Sequence, residues 1–239
     1  MRYIECSEYL RQQEQALRHK AHEAQAVRLA PPGIWCALAW VLSGQRAHAR
    51  AARDERVRTL LREASYYRQG IAGEDVLRRS LARQLDNHFI LVSGYTPPPP
   101  WHLGGDIDAV LVGTHGITVF EAKAWQDYFR CAGDTWWYRS HPRQSWQPAQ
   151  GNPTAQARAN AERVARTLQA RGIANIRVQP MVAIASESMH VLLDRQNPPQ
   201  VYLYFAQSPN TAFDQREHRP VLSEAQVEQA WRALVEPAQ

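Results

Sequence analysis

Lysine is almost absent from this chain of 239 residues. Arginine supplies 26 of the 28 basic residues, and the two lysines are Lys20 and Lys123. Arginine is too basic to accept a proton, whereas a lysine ammonium is a compact point charge whose pKa falls readily when it is buried or near a metal. The use of lysine in place of arginine at position 123 therefore calls for a chemical explanation.

Cysteine is also scarce, and several catalytic signatures are missing. Cys6, Cys36 and Cys131 are odd in number, widely spaced and without a CxxC pair, so they indicate neither a disulfide framework nor a zinc site. A reducing cytoplasm fits this usage best. The chain has no glycine-rich phosphate loop and no nucleophile elbow, which disfavours an NTPase motor and a serine hydrolase.

Long apolar runs are missing as well. The most apolar segment, residues 34–42, is far shorter than the about 20 residues that span a bilayer, and it follows too long a charged segment to be a signal peptide. Three interpretations stay open for it. They are a buried helix on the main domain, which we favour, a helix that contacts another subunit, and an interfacial membrane anchor.

Around Lys123 the chain contains two apolar segments, residues 107–113 and 116–122, which predict two strands joined by a tight turn. Side chains alternate across a strand, so Asp106 and Asp108 share one face of the first strand, and Glu121 and Lys123 share one face of the second. Both faces begin apolar and end charged. Charged groups are costly to bury unpaired, so a cation and an anionic substrate would complete such a site.

The donor atoms at these strand ends suit a hard divalent cation. Asp108, Glu121 and the Ala122 carbonyl supply oxygens for Mg²⁺ or Mn²⁺, which prefer few carboxylates together with waters and phosphate oxygens. Lys123 could orient or deprotonate a water, or hold a phosphate oxygen. The plainer alternative is a hairpin whose strand ends form surface ion pairs.

Two predicted helices carry further polar residues. A helix opening at residues 70–73 places Glu74 on the same stripe as three leucines at helical spacing, Leu77, Leu81 and Leu85. Glu74 is then either a first-turn acid facing the helix dipole or a further ligand of the site. A second helix starts with Asn152 as N-cap and Pro153 at its first position, and it ends at Gly172. Gln156 lies one turn into it, where its amide could bind a phosphate or be solvated.

The ordered set Gly73-Glu74, Ile107-Asp108, Glu121-x-Lys123 and Asn152-Pro153-x-x-Gln156 resembles the nuclease-related domain, NERD, a branch of the PD-(D/E)xK nuclease superfamily. The resemblance runs from about Tyr67 to Ser186. It implies that Asp108 is the first metal-binding acid, that Glu121 and Lys123 form the ExK pair, that Glu74 is the helix-borne acid and a supporting metal ligand, and that Gln156 is the polar residue of the following helix. Ala109 after Asp108 departs from the family pattern, and Asp106 is a competing carboxylate.

The resemblance implies an α/β fold, with a restriction-endonuclease-like mixed sheet flanked by helices and an N-terminal helical extension. Further strands are expected near residues 89–93, 178–185 and 201–205. We divide the chain into a helical extension (1–65, helical over 1–30 and including the apolar helix 34–42), a NERD-like core (66–210) and a C-terminal helix packing on the core (211–239). Ser223 and Gln226 predict a capping box for that helix, with four residues facing inward: Val227, Ala230, Trp231 and Leu234.

A formal net charge of +5 and a pI of about 9.3 are modest evidence for a polyanionic partner. Arginines cluster between residues 46 and 83, and we single out Arg78, Arg79 and Arg130 as candidate nucleic-acid contacts. A solvated helix face with acidic neighbours explains the cluster equally well. The aromatic segment 136–138 and Trp146 could stack on unpaired bases, although buried cross-strand packing is favoured.

Together these features predict an Mg²⁺- or Mn²⁺-dependent nuclease that hydrolyses DNA phosphodiester bonds, with RNA open as a substrate. An endonuclease in DNA processing, mobile-element biology or phage defence fits best. The alternative is a catalytically silent, nuclease-like module that binds nucleic acid and docks a partner protein, or a second copy of itself, through its N-terminal helices.

Overall fold

The computed structural model describes residues 1–5, 9–27, 45–208 and 221–236. The apolar segment 34–42, Cys6 and Cys36 lie outside these ranges, so the three interpretations of that segment stay predictions. The chain divides into two compact units, one formed by Met1–Glu8 with Ala72–Gln239 and the other by Tyr9–Ile71. No helix within the described ranges is long and apolar enough to cross a membrane.

Four helices occur in the described residues. They are α1 (Tyr9–Ala26), α2 (Gln45–Gln84), α3 (Pro153–Ala170) and α4 (Glu224–Val235). The predicted helix start near Gly70 is wrong, because α2 already begins at Gln45 and continues through Gly70 and Gly73. Glycine lowers helix propensity by only about 1 kcal/mol, so a long helix with a buried stripe tolerates two of them.

The ends of α3 and α4 follow their local sequence signals. The Asn152 side chain accepts a hydrogen bond from the Ala155 N–H, and Ser223 with Gln226 forms the predicted capping box. After α3, Gly172 has φ +76°, and the Ile173 N–H donates to the Leu168 carbonyl across 2.9 Å. This is the Schellman arrangement that glycine permits at the end of a helix.

The larger sheet has six strands in the order β1-β2-β3-β4-β8-β10. Their bounds are Arg2–Glu5, Ile90–Tyr95, Ile107–Gly113, Gly116–Lys123, Val178–Ile184 and Tyr202–Phe205. The pairs β2–β3 and β3–β4 are antiparallel, and the other three pairs are parallel. The prediction that residues 1–30 are all helical is wrong at β1, which pairs with β2 and belongs to the same unit as the sheet.

A second, four-stranded sheet has the order β7-β6-β5-β9. Its strands are Gln147–Pro148, Thr135–Arg139, Asp127–Ala132 and Met189–Leu193. Strands β5 and β6 pair antiparallel, and the parallel pairing of β5 with β9 was not predicted. The mixed α/β fold with two mixed sheets and helices confirms the expected fold class.

Helices cover both faces of the larger sheet. Apolar residues of α3 and α4 pack on one face, against Val110, Val112, Ile117 and Val119. The predicted α2 stripe of Leu77, Leu81 and Leu85 packs on the other face with Phe120 and Met181. A third cluster joins the inner face of the second sheet to β8 and to Ala157 of α3. The charged ends of β3 and β4 are therefore surrounded by packed elements.

Candidate active site

Asp108 lies at the point where the pairing of β3 and β4 ends. The paired register runs from Gly113–Gly116 to Ala109–Phe120. Beyond that pair, the backbone N–H of Ala122 donates to Oδ2 of Asp108 across 2.6 Å. Because β4 continues beside β8 as far as Lys123, the Asp108 carboxylate is held against a strand that is paired on its other side.

Glu121 is buried and is held by two donors. Nζ of Lys123 donates to Oε1 across 2.6 Å, and Nδ2 of Asn160 donates to Oε2 across 3.0 Å. The Glu121 side chain is 7% exposed and that of Lys123 is 14% exposed. A charge in such surroundings is costly unless it is paired and hydrogen-bonded, so these two donors account for the position of the carboxylate.

Lys123 differs from the other lysine of the chain in its surroundings. Lys20 is exposed on α1. Lys123 is enclosed by Glu121 and by the ring of Trp125, whose centroid lies 5.4 Å from Nζ. Trp125 in turn stacks on Phe129 with a centroid distance of 4.7 Å. The second sheet thus helps to hold Lys123, which is the lysine that lies at the charged ends of β3 and β4.

Glu74 approaches the same carboxylates from α2. Its negative charge is one of the influences that raise the pKa of Asp108. Gly73 beside it is buried, and a Cβ at that position would lie 2.7 Å from Cβ of Ala124, the residue after β4. Only a residue without a side chain permits this approach, so Gly73 allows α2 to bring Glu74 close to the ends of the strands.

The pKa of Asp108 is raised well above its ordinary value. Burial is the main cause, followed by the charges of Glu121 and Glu74, while Lys123 and the Ala122 N–H act in the opposite direction. Desolvation and like charges both disfavour an ionised carboxyl group. The site therefore carries more acidic charge than its single lysine offsets.

Asp106, the competing carboxylate, has different surroundings. It precedes β3, and the hydroxyl of Thr96 donates to its Oδ1. Its charge also acts on the Arg163 guanidinium. The carboxylates whose charges raise the pKa of Asp108 are Glu121 and Glu74. This arrangement favours Asp108 over Asp106 as the acid of the site.

The structure does not bring Gln156 to Glu121. Gln156 is exposed on α3, and the amide that contacts Glu121 belongs to Asn160, four residues later. Residues four apart lie on one face of a helix, so Gln156 lies on the same face as Asn160, one turn earlier in α3. Sequence reasoning missed Asn160. The i, i+4 spacing from Gln156 was the available signal, but the motif Asn152-Pro153-x-x-Gln156 ends one turn before Asn160.

Arg163 was also missed, and it connects α3 to the loop before β3. Its guanidinium donates to the carbonyls of Trp101 and Gly105 across 2.9 and 2.7 Å, and to Oδ1 of Asn160 across 3.0 Å. The last contact leaves the Asn160 NH₂ group to face Glu121. Burial lowers the pKa of Arg163. Arg163 thereby positions Asn160 and the loop together.

The three candidate nucleic-acid arginines lie in different places. Arg78 forms an ion pair with Asp75 at 3.3 Å and lies over the Tyr3 ring at 5.3 Å. Arg79 is exposed and donates to the Asp75 carbonyl. Arg130 projects from β5, close to Asp194 and Trp137. The structure does not gather the three into one patch through these contacts.

The oxygen atoms of Asp108 and Glu121 meet the needs of a hydrated divalent cation. Within the described residues, no three His, Cys, Asp or Glu side chains are grouped closely enough to form a ready-made metal cage. Mg²⁺ needs only one or two carboxylates, because it keeps several waters. Each carboxylate has about four lone-pair positions, and the hydrogen bonds above use one on Asp108 and two on Glu121. The residues present therefore fit a hydrated Mg²⁺ or Mn²⁺.

Comparison with known protein families identifies a family for the middle of the chain. Residues 69–185 match the family described as NERD, the nuclease-related domain. Searches of curated proteins and of solved structures found no match. The matched range contains Glu74, Asp108, Glu121, Lys123 and Asn160. The chain therefore carries a nuclease-related domain of the NERD family at residues 69–185.

Proposed function

We propose that this protein is a divalent-metal-dependent nuclease that hydrolyses DNA phosphodiester bonds, most simply as an endonuclease. The observation that carries the proposal is the 2.6 Å contact between Lys123 and Glu121, beside the high-pKa carboxyl of Asp108. Perturbed ionisable groups with a specific charge partner are typical of catalytic sites. A lysine at this point in a chain that otherwise uses arginine adds to that support.

Each residue has a distinct role in this proposal. Asp108, Glu121 and the Ala122 carbonyl would hold Mg²⁺ or Mn²⁺, with Glu74 in support. When bound, the cation would lower the pKa of a coordinated water and offset charge on the phosphoryl oxygens. As an ammonium, Lys123 would orient the attacking water and offset the acidic charge; as a neutral amine, it would instead take the proton of that water.

The two amides of α3 act differently. Asn160 holds Glu121 through its 3.0 Å hydrogen bond and is a positioning residue. Gln156, exposed one turn away, would orient the water or a phosphate oxygen of the substrate. A cytoplasmic location is part of the proposed function, and docking of a partner protein by the N-terminal helices stays a prediction.

The test is cleavage of closed-circular, linear duplex and single-stranded DNA by purified protein with Mn²⁺, Mg²⁺ or EDTA. The chain offers a matched control, because Lys123→Ala and Lys20→Ala remove the only two lysines. We expect metal-dependent cutting that Lys123→Ala abolishes and that Lys20→Ala leaves unchanged. Cutting of closed circles would identify an endonuclease, and full activity of folded Lys123→Ala would overturn the assignment.

One observation favours the second candidate, a silent nuclease-like module that binds nucleic acid. Both Glu121 oxygens already accept a hydrogen bond, one from Lys123 and one from Asn160, so the carboxylate is satisfied without a cation. Such a module would bind DNA with an affinity that falls as salt rises, by a slope of about 0.9 per phosphate contact, and would leave the DNA intact with either metal. Binding without cutting under all conditions would select it.

A further inference from the structure

The outer face of the second sheet presents an ordered set of aromatic rings and arginines. On β5, Phe129 and Cys131 are buried while Tyr128 and Arg130 project outward; on β6, Trp136 is buried while Trp137 and Arg139 project outward. The pairing puts Tyr128 opposite Arg139 and Arg130 opposite Trp137. We name this surface the aromatic–arginine face, and it consists of Tyr128, Arg130, Trp137, Arg139, Trp146 and His190.

Rings and cations on this face contact one another across the strands. The Arg139 guanidinium lies over the Trp146 ring at 4.3 Å and near the Tyr128 ring at 5.7 Å. Arg130 lies over Trp137 at 5.8 Å, and Tyr128 stacks on His190 of β9 at 4.9 Å. The buried aromatics of the sheet, by contrast, pack into the third core cluster. The outward rings therefore are not needed to complete that core.

The face carries positive charge that the described residues only partly compensate. Arg130 pairs with Asp194 at 3.0 Å. Arg139 forms no ion pair with any described residue, and its Nε is buried without a hydrogen-bond partner there. A groove of about 450 Å³ beside these side chains is lined by Arg130, Trp146, Leu192 and Arg195, among others. An anionic ligand that reaches the half-buried Arg139 side chain would supply its missing ion-pair partner.

We infer that the aromatic–arginine face binds a single strand of DNA, a deepening that rests on the proposed nuclease function. Unpaired bases stack on aromatic rings and on guanidinium planes, while arginines hold the phosphates. The bases of a duplex are stacked on one another and cannot do this. A sheet that displays aromatic side chains is an established platform for unpaired bases.

The face is also close to the active site along the chain. Tyr128 follows Lys123 by five positions in the chain, so their Cα atoms lie within about 17 Å of each other. One strand of a duplex rises about 3.4 Å per nucleotide along the helix axis, so a segment of about five nucleotides is long enough to span that distance. A strand held on this face could therefore extend to Asp108 and Lys123.

The test measures binding separately from cleavage. Anisotropy of a fluorescein-labelled oligo-dT of 20 nucleotides is followed in EDTA, with Lys123→Ala present in every protein so that the strand stays intact. We expect Trp137→Ala to weaken binding about tenfold and Trp137→Phe to retain most of it, because stacking needs only a ring. Arg139→Gln should lower the slope of log K against log salt by about 0.7, the value for one phosphate contact on a single strand.

Arg232→Gln is the matched control. Arg232 also lies beside an indole, 5.9 Å from Trp231, but it is on α4 and pairs with Glu228. It should leave the affinity unchanged. Melting temperatures identify any variant that fails to fold. If Trp137→Ala fails to fold, Arg139→Gln decides in its place, because it removes the charge of a half-buried side chain but keeps a polar group.

The outcomes separate this inference from the proposed function. The inference is overturned if folded Trp137→Ala and folded Arg139→Gln bind the single strand as tightly as their parent. It is also overturned if a 20-bp duplex binds equally tightly and through the same residues. Either outcome holds whether or not the protein with Lys123 cuts DNA. If binding depends on Trp137 but no metal supports cutting, the face stands and the nuclease assignment fails.

Discussion

The Asn160 amide donates to Oε2 of Glu121 across 3.0 Å, on the side of the carboxylate opposite to Lys123. Helix α3 thus holds the acid that the sheet presents. Groups that orient a metal-binding carboxylate typically contribute 10- to 100-fold to metal affinity or activity, so Asn160 is as informative a target as the charged residues themselves.

We expect Asn160→Ala to raise the Mn²⁺ concentration needed for half-maximal cleavage by about 10- to 100-fold, because Glu121 loses the donor that orients it. Gln156→Ala is the matched comparison on the same helix face. It should lower the cleavage rate without moving the metal dependence. The measurement is a metal titration of plasmid cleavage. An Asn160→Ala protein with unchanged metal dependence would remove Asn160 from the site.

Gly73→Ala should impair cleavage without any change of charge. A Cβ at position 73 would lie 2.7 Å from Cβ of Ala124, so α2 would have to shift and carry Glu74 away from the site. Position 70 gives the control, since a Cβ there meets only the end of a leucine side chain at 3.2 Å. Gly70→Ala should be neutral or stabilise by up to about 1 kcal/mol, as expected inside a helix.

Urea unfolding and cleavage rates measured on both variants distinguish a local from a general effect. Gly73→Ala should lose activity by a larger factor than its change in stability explains. Equal behaviour of the two alanine variants would contradict the idea that the close approach at Gly73 positions Glu74.

Local signals predicted much of this fold. The first strand of the central pair was predicted with its observed bounds, and β4 is one residue longer than expected. Alternating apolar residues, the Asn152 cap and the Ser223 capping box depend on neighbours in sequence, so a single sequence reveals them. The alignment of Asp108 with the Ala122 N–H follows from the same short hairpin.

Contacts between distant segments could not be predicted in this way. The pairing of β5 with β9 joins Tyr128 to His190, and β1 pairs with β2 across more than eighty residues. Asn160 is polar and unremarkable in sequence, and its role appears only when α3 packs over β4. The helix through Gly70 was missed because glycine weakens helices locally, while packing of the whole stripe decides the outcome.

Arg163→Ala should lower both stability and activity. Hydrogen bonds from a charged group contribute about 1.5–3 kcal/mol, and Arg163 makes such bonds to two loop carbonyls and to Asn160. Arg163→Lys should recover little, because an ammonium lacks the planar fork that serves all three acceptors. Arg166→Ala, on an exposed side chain of α3 paired with Glu162, should change the free energy of unfolding by less than about 1 kcal/mol.

A double-mutant cycle tests whether Arg163 acts on the site through Asn160. Cleavage by the Asn160→Ala, Arg163→Ala protein should be little worse than by Asn160→Ala alone, because the second change removes a support that no longer has a function. Neighbouring groups in one network show coupling of about 0.5–3 kcal/mol. Strictly additive losses would mean that Arg163 serves only the loop before β3.

Asp108→Asn should stabilise the metal-free protein while abolishing cleavage. The pKa of Asp108 is raised by burial and then by Glu121 and Glu74, so its ionised form is disfavoured in the folded state. A native carboxyl group that binds its proton more tightly than the unfolded chain contributes stability below the unfolded pKa, and this contribution is lost as pH rises through the folded pKa. Asparagine keeps an oxygen for the Ala122 N–H but does not ionise.

The measurement is urea unfolding in EDTA at several pH values. The stability of Asp108→Asn relative to wild type should increase as pH rises from the ordinary aspartate pKa through the raised one, and it should level off above that window. Excess Mn²⁺ should reverse the order, because a ligand that binds the folded state stabilises only a protein that can hold it. An Asp108→Asn protein that unfolds at lower urea than wild type in EDTA would show that the Asp108 charge is compensated without a metal.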